Sequence, residues 1–295
     1  MKRKILDGAF LDRLDAAALC LKTAMTGFFG GGRKARSYGN TVEFADFREY
    51  FPGDDIRRID WNVYARFEKY FIKLFTDERQ MHNQILIDCS ASMACGKPEK
   101  AEAALKIAAA FGYLSVASMD RVSYKMLKKE KATNLGFTIT NKDSFYRAAQ
   151  AMENTDFEGE VDLERAIVNM EAPGYDDGLT IIISDFLTES NWKKAIDFLM
   201  YKRREILMIQ VLSPDELYPD LDGRIDMIDS ENDAYNMRLV MTKKMVEAYQ
   251  KAMDEYEKEL IDFCASRGVT FFTVSSDDPI EKVIFGKGYE TEVIK

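Results

Sequence analysis

Short apolar runs without polar alternation take turns with longer stretches of helical period along most of this chain. Ile85-Leu86-Ile87 and Thr180-Ile181-Ile182-Ile183-Ser184 are continuous aliphatic runs, which predicts strands covered on both faces. Between them, residues 97–118 place Ala101, Ala104, Leu105, Ala108, Phe111 and Leu114 on one helical face and Glu99, Glu102 and Lys106 on the other. Further helices are predicted over 142–154, 162–170, 191–203 and 243–266. The last carries a stripe of Met245, Tyr249, Met253, Tyr256, Leu260 and Phe263. Strands are predicted over 121–127, 135–140, 205–212 and 269–274. This alternation implies an α/β fold with a doubly wound, mainly parallel sheet and right-handed crossovers.

The first 80 residues follow a different pattern. A helix is predicted over 12–25, with Leu14, Ala18, Leu21 and Met25 on one side. Residues 27–34, Gly-Phe-Phe-Gly-Gly-Gly-Arg-Lys, lack the Ser or Thr that must follow Gly-Lys in a phosphate loop and no strand precedes them, so they read as a linker. Strands over 41–47 and 70–75 flank a Pro-Gly-Asp-Asp turn and a run dense in charge and aromatics. Acids and bases nearly cancel here, which favours internal pairing, such as Arg57 or Arg66 with Asp60 or Asp54, over nucleic-acid stacking. The expected division is therefore 1–80, an N-terminal helix, linker and small β extension packed on the main domain, and 81–295, the α/β domain. An exposed insertion with short strands is expected at 213–242, where Pro214, Pro219, Gly223 and many acids collect.

Composition narrows the function classes. The 295 residues, 46% hydrophobic and 31% charged, suffice for a full core. A net charge of −9 disfavours nucleic acid or an anionic membrane as the main partner. Cys20, Cys89, Cys95 and Cys264 show no metal-ligand spacing and no signal peptide opens the chain, so reduced thiols and a cytoplasmic location are expected. No apolar run approaches the roughly 18 residues of a membrane span. The one histidine, His82, lies just before the first core strand, at the end away from Ser90. That argues against a Ser-His-Asp site and against a His-ligated zinc.

The candidate chemistry lies at the strand ends. Asp88-x-Ser90-x-Ser92 follows the first aliphatic run and Asp185 follows the second. The carboxyl edge of an open parallel sheet is where ligands bind. If the two strands are neighbours, Asp88 and Asp185 share a cleft. Carboxylates and hydroxyls are hard oxygen ligands suited to Mg2+, Ca2+ or Mn2+. The competing reading of the motif alone is a turn and helix cap. Three functions follow: a binding module that docks a partner carboxylate on the ion, a metal-dependent hydrolase or phosphatase using Asp88, or a degenerate scaffold without metal. Beyond these groups the sequence offers little for catalysis.

In this setting Asp88-x-Ser90-x-Ser92 and Ile183-Ser184-Asp185 resemble the metal-ion-dependent adhesion site of von Willebrand factor type A domains. Glu43-Phe44-Ala45-Asp46-Phe47-Arg48-Glu49-Tyr50, Pro52-Gly53-Asp54-Asp55-Ile56-Arg57 and Ile59-Asp60-Trp61 resemble the signature of a prokaryotic, functionally uncharacterised family of such domains. The resemblance implies Asp88, Ser90, Ser92 and Asp185 as ligands of Mg2+ or another divalent cation. It also implies an adaptor role, with a MoxR-type AAA+ ATPase or its client as partner. Many members carry N-terminal membrane helices; this chain shows none, which implies a soluble variant. One ligand departs from the pattern. Where the family has threonine in a Gly-Gly-Thr-Asp-Leu-like segment, this chain has Val161, in Gly159-Glu160-Val161-Asp162-Leu163. Valine cannot ligate, so weak or absent ion binding is expected unless Glu160 or Asp162 compensates.

Overall fold

Aliphatic side chains that alternate along a strand need two apolar layers to receive them, and this chain builds one on each face of its sheet. The computed structural model describes residues 3–24, 42–77, 81–170, 178–219, 223–227 and 237–287. The glycine-rich stretch 27–34, read as a linker, lies outside the described residues. In chain order the elements are α1 (Gly8–Ala24), β1 (Val42–Glu49), α2 (Trp61–Phe67), β2 (Phe71–Asp77), β3 (His82–Asp88), α3 (Lys100–Ala117), β4 (Arg121–Lys128) and β5 (Lys131–Asn134). There follow α4 (Lys142–Met152), α5 (Leu163–Val168), β6 (Leu179–Ser184), α6 (Trp192–Tyr201), β7 (Glu205–Leu212), α7 (Pro214–Leu217), β8 (Gly223–Met227), β9 (Met237–Met241), α8 (Lys243–Arg267) and β10 (Thr270–Ser275).

The main sheet has the order β10-β7-β6-β3-β4-β5, parallel throughout except for the β4–β5 edge pair. From β3 the chain moves outward to β4, then returns to β6 on the other side, so strand order reverses between β3 and β6. This is the doubly wound α/β fold. Ile85, Ile87, Ile181, Ile183, Leu207 and Ile209 enter one core with α1, α3 and α4. Leu86, Ile182, Ile206 and Met208 enter the other, with α5, α6 and the C-terminal part of α8.

Several boundaries differ from the sequence pattern, each for a local reason. Helix α1 begins earlier than predicted because the Asp7 carboxylate accepts the Phe10 N–H, at 2.7 Å, an N-cap outside the apolar stripe. Chain reversal after β4 is tighter than expected: β5 pairs over 131–134, and of the predicted 135–140 strand only Ile139 bridges to Val122. Helix α3 is buried almost all round, Ile107, Ala109 and Ala110 included. Of the predicted α8 stripe, Leu260 and Phe263 are buried, whereas Met245 and Tyr249 are exposed.

Two compact units divide the chain: residues 1–29 with 81–295, and residues 30–80. Helix α1 thus belongs with the α/β unit, into whose core Phe10, Leu14 and Ala17 reach. The predicted division had grouped it with the β extension. In the smaller unit β1 and β2 form an antiparallel hairpin with a bulge between Phe44 and Asp46. The charge-rich run, read without a helix, forms α2, whose N-cap Asp60 accepts the Asn62 and Val63 N–H groups. Its charges do pair internally, though with other partners than predicted: Arg48 with Asp54 at 2.8 Å and Lys73 with Asp60 at 3.0 Å. Tyr64 and Tyr70 stack with ring centroids 4.6 Å apart. The expected 213–242 insertion holds α7 and the β8–β9 hairpin among its described residues. No helix among the described residues is long and apolar enough to cross a membrane.

Two tests follow from this packing. A Cβ on Gly112 of α3 would lie 1.8 Å from the hydroxyl oxygen of Tyr124, a fully buried side chain. Gly112→Ala is therefore expected to destabilise by roughly 1–3 kcal/mol in urea unfolding, despite alanine's better helix propensity. At the opposite sheet end, Asp120 is buried and accepts hydrogen bonds from Met81 N–H at 3.0 Å and Asn83 Nδ2 at 3.3 Å. Burial outweighs these bonds and raises its pKa to about 6. A folded-state pKa above that of an exposed Asp, about 3.9, means the contribution is fully present below about pH 4 and is lost as pH rises through 6. Asp120→Asn should lose this dependence, so its stability relative to wild type should climb by on the order of 2 kcal/mol from pH 4 to 7. Equal slopes for the two proteins would contradict this.

Candidate functional site

The reversal of strand order puts the ends of β3 and β6 side by side, in register from Gln84 with Thr180 to Ile87 with Ile183. The structure therefore brings Asp88 and Asp185 together, as the sequence predicted. Both are buried, at 3% and 2% exposure. Each Asp88 oxygen accepts a hydrogen bond: Oδ2 from the Ser184 hydroxyl at 2.6 Å, Oδ1 from the Ser90 N–H at 2.9 Å. The Ser90 and Ser92 hydroxyls bond to one another at 3.0 Å. Burial, and next the negative charge of Asp185, push the Asp88 pKa up to about 6 against the pull of its hydrogen bonds.

Asp185 has a partner the sequence reading missed. Lys100, the first residue of α3, is 1% exposed, and its Nζ donates to Asp185 Oδ2 at 2.8 Å and to Glu216 Oε1 at 2.6 Å. Burial acts to lower the Lys100 pKa, but the attraction and hydrogen bonds of the two carboxylates outweigh it and hold it above its ordinary value. The group is an ammonium. The other Asp185 oxygen accepts the Leu187 N–H, and its backbone carbonyl accepts Gln210 Nε2 at 2.9 Å.

Local sequence explains how Glu216 arrives. Ser213-Pro214-Asp215-Glu216 is a capping box with proline at the first helical position of α7. Glu216 Oε2 accepts the Ser213 N–H at 2.7 Å and the Ser213 hydroxyl at 3.1 Å, which leaves Oε1 for Lys100. The Ser213 side chain lies so close to the 89–99 loop that a Cβ on Gly96, at φ +92, would come within 2.6 Å of Ser213 Cβ. Glu216 had been grouped with an exposed insertion; its first turn instead folds back on the strand ends. A signal was present for Lys100 as well. It precedes Ala104 and Ala108 by four and eight residues, on the apolar stripe, and a cation opens a helix unfavourably unless acids receive it.

The Val161 position also resolves. Val161 is buried in the core beside α5, and its backbone pairs with Lys129. Asp162 caps α5 by accepting the Arg165 N–H at 2.9 Å, and Glu160 is exposed. The Asp162 carboxylate is thus engaged at the cap and Val161 itself offers no oxygen. Of the predicted ligands Asp88, Ser90, Ser92 and Asp185, each carboxylate oxygen already accepts one N–H, O–H or ammonium donor, and on Asp185 that donor is the Lys100 cation at Oδ2. As arranged, these residues do not fit a divalent ion. Among the described residues no group of three or more His, Cys, Asp or Glu side chains is placed to hold one.

A doubly wound α/β domain with a buried cluster of acids, serines and one lysine at its switch point is the class of protein these features define. The chain belongs to the family described as "Protein of unknown function DUF58", matched over residues 46–259. An uncharacterised protein of Mycobacterium tuberculosis is 28% identical over 219 residues, covering 72% of this chain and 68% of the relative, and one of Mycobacterium bovis matches to the same extent. Among solved structures, the conserved hypothetical protein BatB of Bacteroides thetaiotaomicron is similar at 13% identity and a TM-score of 0.43, over 72% of this chain and 98% of its own. An aerotolerance-related membrane protein of Bacteroides fragilis is similar at 15% identity and a TM-score of 0.41, over 72% and 96%. At such scores these likenesses add nothing to the strand order.

Stability measurements separate the roles of the two acids. Asp88→Asn keeps an acceptor for one donor and can donate to Ser184 Oγ, so it is expected within about 1 kcal/mol of wild type. Asp88→Ala strands both donors and should cost roughly 2–3 kcal/mol. Asp185→Ala leaves Lys100 half-compensated in the interior and should cost about 3–5 kcal/mol. Ser92→Ala, at a half-buried hydroxyl, should cost least.

Proposed function

We propose that this chain is a protein-interaction module whose switch-point cleft is a docking point, and that it serves as an adaptor of a MoxR-type AAA+ ATPase system, with the ATPase or its client as partner. The observation that carries the reading is that the cleft's charged groups are engaged with one another. Asp88 and Asp185 hold hydroxyl, amide and ammonium donors, and the buried Cys89 thiol is pushed up to about 12 by its burial. His82 sits at the other end of β3, with Nε2 3.1 Å from Ser123 Oγ. Such a cluster supports binding better than turnover, since among the described residues Asp88 is held by the Ser184 hydroxyl and the Ser90 N–H and neither His82 nor Cys89 is placed to work with it. The resemblance of the 43–61 segment to that family signature supports an ATPase as the partner.

The rim of the cleft gives the test. Ser92 is half-buried and Cys95 is exposed, both on the loop between β3 and α3. Met119, 75% exposed, lies in the turn before β4, at the opposite sheet end. Ser92→Trp and Cys95→Trp should each weaken capture of the organism's MoxR-type ATPase at least tenfold, about 1.4 kcal/mol, while Met119→Trp should not. Equal capture by all three would remove the cleft as the docking point.

A further inference from the structure

We propose that Lys100 is the resident cation of this cleft: its ammonium, clamped between Asp185 and Glu216, takes the charge-compensating place of a divalent ion, and the cleft functions without one. Three independent features converge on this. First, the ammonium is wholly buried and meets two carboxylates from different segments, at 2.8 Å from Asp185 and 2.6 Å from Glu216. A charge is tolerated at that depth only when paired and hydrogen-bonded. Second, each carboxylate oxygen a hard cation would use already holds a donor, and on Asp185 one of these is the ammonium itself. Asp88 accepts from Ser90 N–H and the Ser184 hydroxyl, Asp185 from Leu187 N–H and Lys100. An ion coordinated by Asp185 would stand within a few ångströms of a buried positive charge, where repulsion is barely screened. Third, the usual threonine position carries Val161, whose side chain is in the core.

Glu216 completes the replacement. A divalent ion in such a cleft keeps an open position for a carboxylate from a partner; here a carboxylate of the same chain already sits on the cation. The Ser213 capping box aims it there, and its side chain remains 24% exposed, so this is the side of the clamp that faces outward. The lysine side chain thus brings charge and position together, at no cost of recruiting an ion.

The inference does not depend on what the cleft docks, so the rim variants and the following experiment fail separately. The full-length wild type is titrated with Mn2+ and the free-ion signal is read by electron paramagnetic resonance. Melting temperatures are measured in chelator and in excess Mg2+. No saturable Mn2+ binding at millimolar ion and one melting temperature in both buffers are expected. One bound Mn2+ per chain with a rise in melting temperature would overturn the proposal. In the second arm Lys100→Met should melt more than about 5 °C below wild type. Adding Asp185→Asn, which removes the stranded charge, should recover part of that loss. A Lys100→Met protein that melts with the wild type, or a double variant no better than the single, would equally overturn it. The wild-type arm decides the question even if Lys100→Met does not fold.

Discussion

A buried ammonium held by two carboxylates fixes the carboxyl edge of this sheet. Lys100 opens α3, Asp185 ends the β6 segment and Glu216 belongs to the turn after β7, so one group ties together three stretches far apart in sequence. Taking such charges out of water is costly, and the net gain over an apolar trio of the same shape is small or negative. What the arrangement secures is geometry. A lysine that cannot remain in the interior unpaired forces α7 to return to the strand ends, and Gly96 lets the intervening loop pass against Ser213 without a clash.

The same constraint changes how the serine motif is understood. By spacing alone, Asp88, Ser90 and Ser92 form an oxygen-rich ligand set. In place, Asp88 is the anchor of a hydrogen-bond net that closes the turn after β3, and Ser184 on the neighbouring strand completes it. Among the described residues no cation pairs with Asp88, so burial and the neighbouring Asp185 raise its pKa. Substituting valine for an oxygen-bearing side chain and filling the charge-compensating place with lysine are mutually consistent changes. Each removes a reason for an ion to enter.

The smaller unit shows the same economy on a hairpin. Its nearly balanced charges form short pairs, Arg48 with Asp54 and Lys73 with Asp60, and the Asp60 carboxylate also caps α2. One acid thus ends a strand connection, starts a helix and neutralises a lysine. Directed polar contacts and ring stacking, as in the Tyr64–Tyr70 pair, act beside the buried Ile59 and Ile72 in holding this segment.

The sequence by itself determined the fold class, the doubly covered strands and the meeting of Asp88 with Asp185, because each depends on periodicity and chain order, which are local or nearly so. Continuous Ile85–Ile87 and Ile181–Ile183 runs require cover on both faces, and the β-α-β alternation leaves few ways to wind the sheet. The sequence also marked Val161 as unable to ligate. Only the tertiary structure decided what compensates Asp185. Lys100 looks like an ordinary surface lysine at a helix start and Glu216 like part of an acidic, exposed insertion, and no spacing rule links residues so far apart. Their pairing exists because helix α3 must pack its apolar stripe on the sheet, which carries the residue four before Ala104 inward. The turn after β7, closed by its own capping box, meets it there.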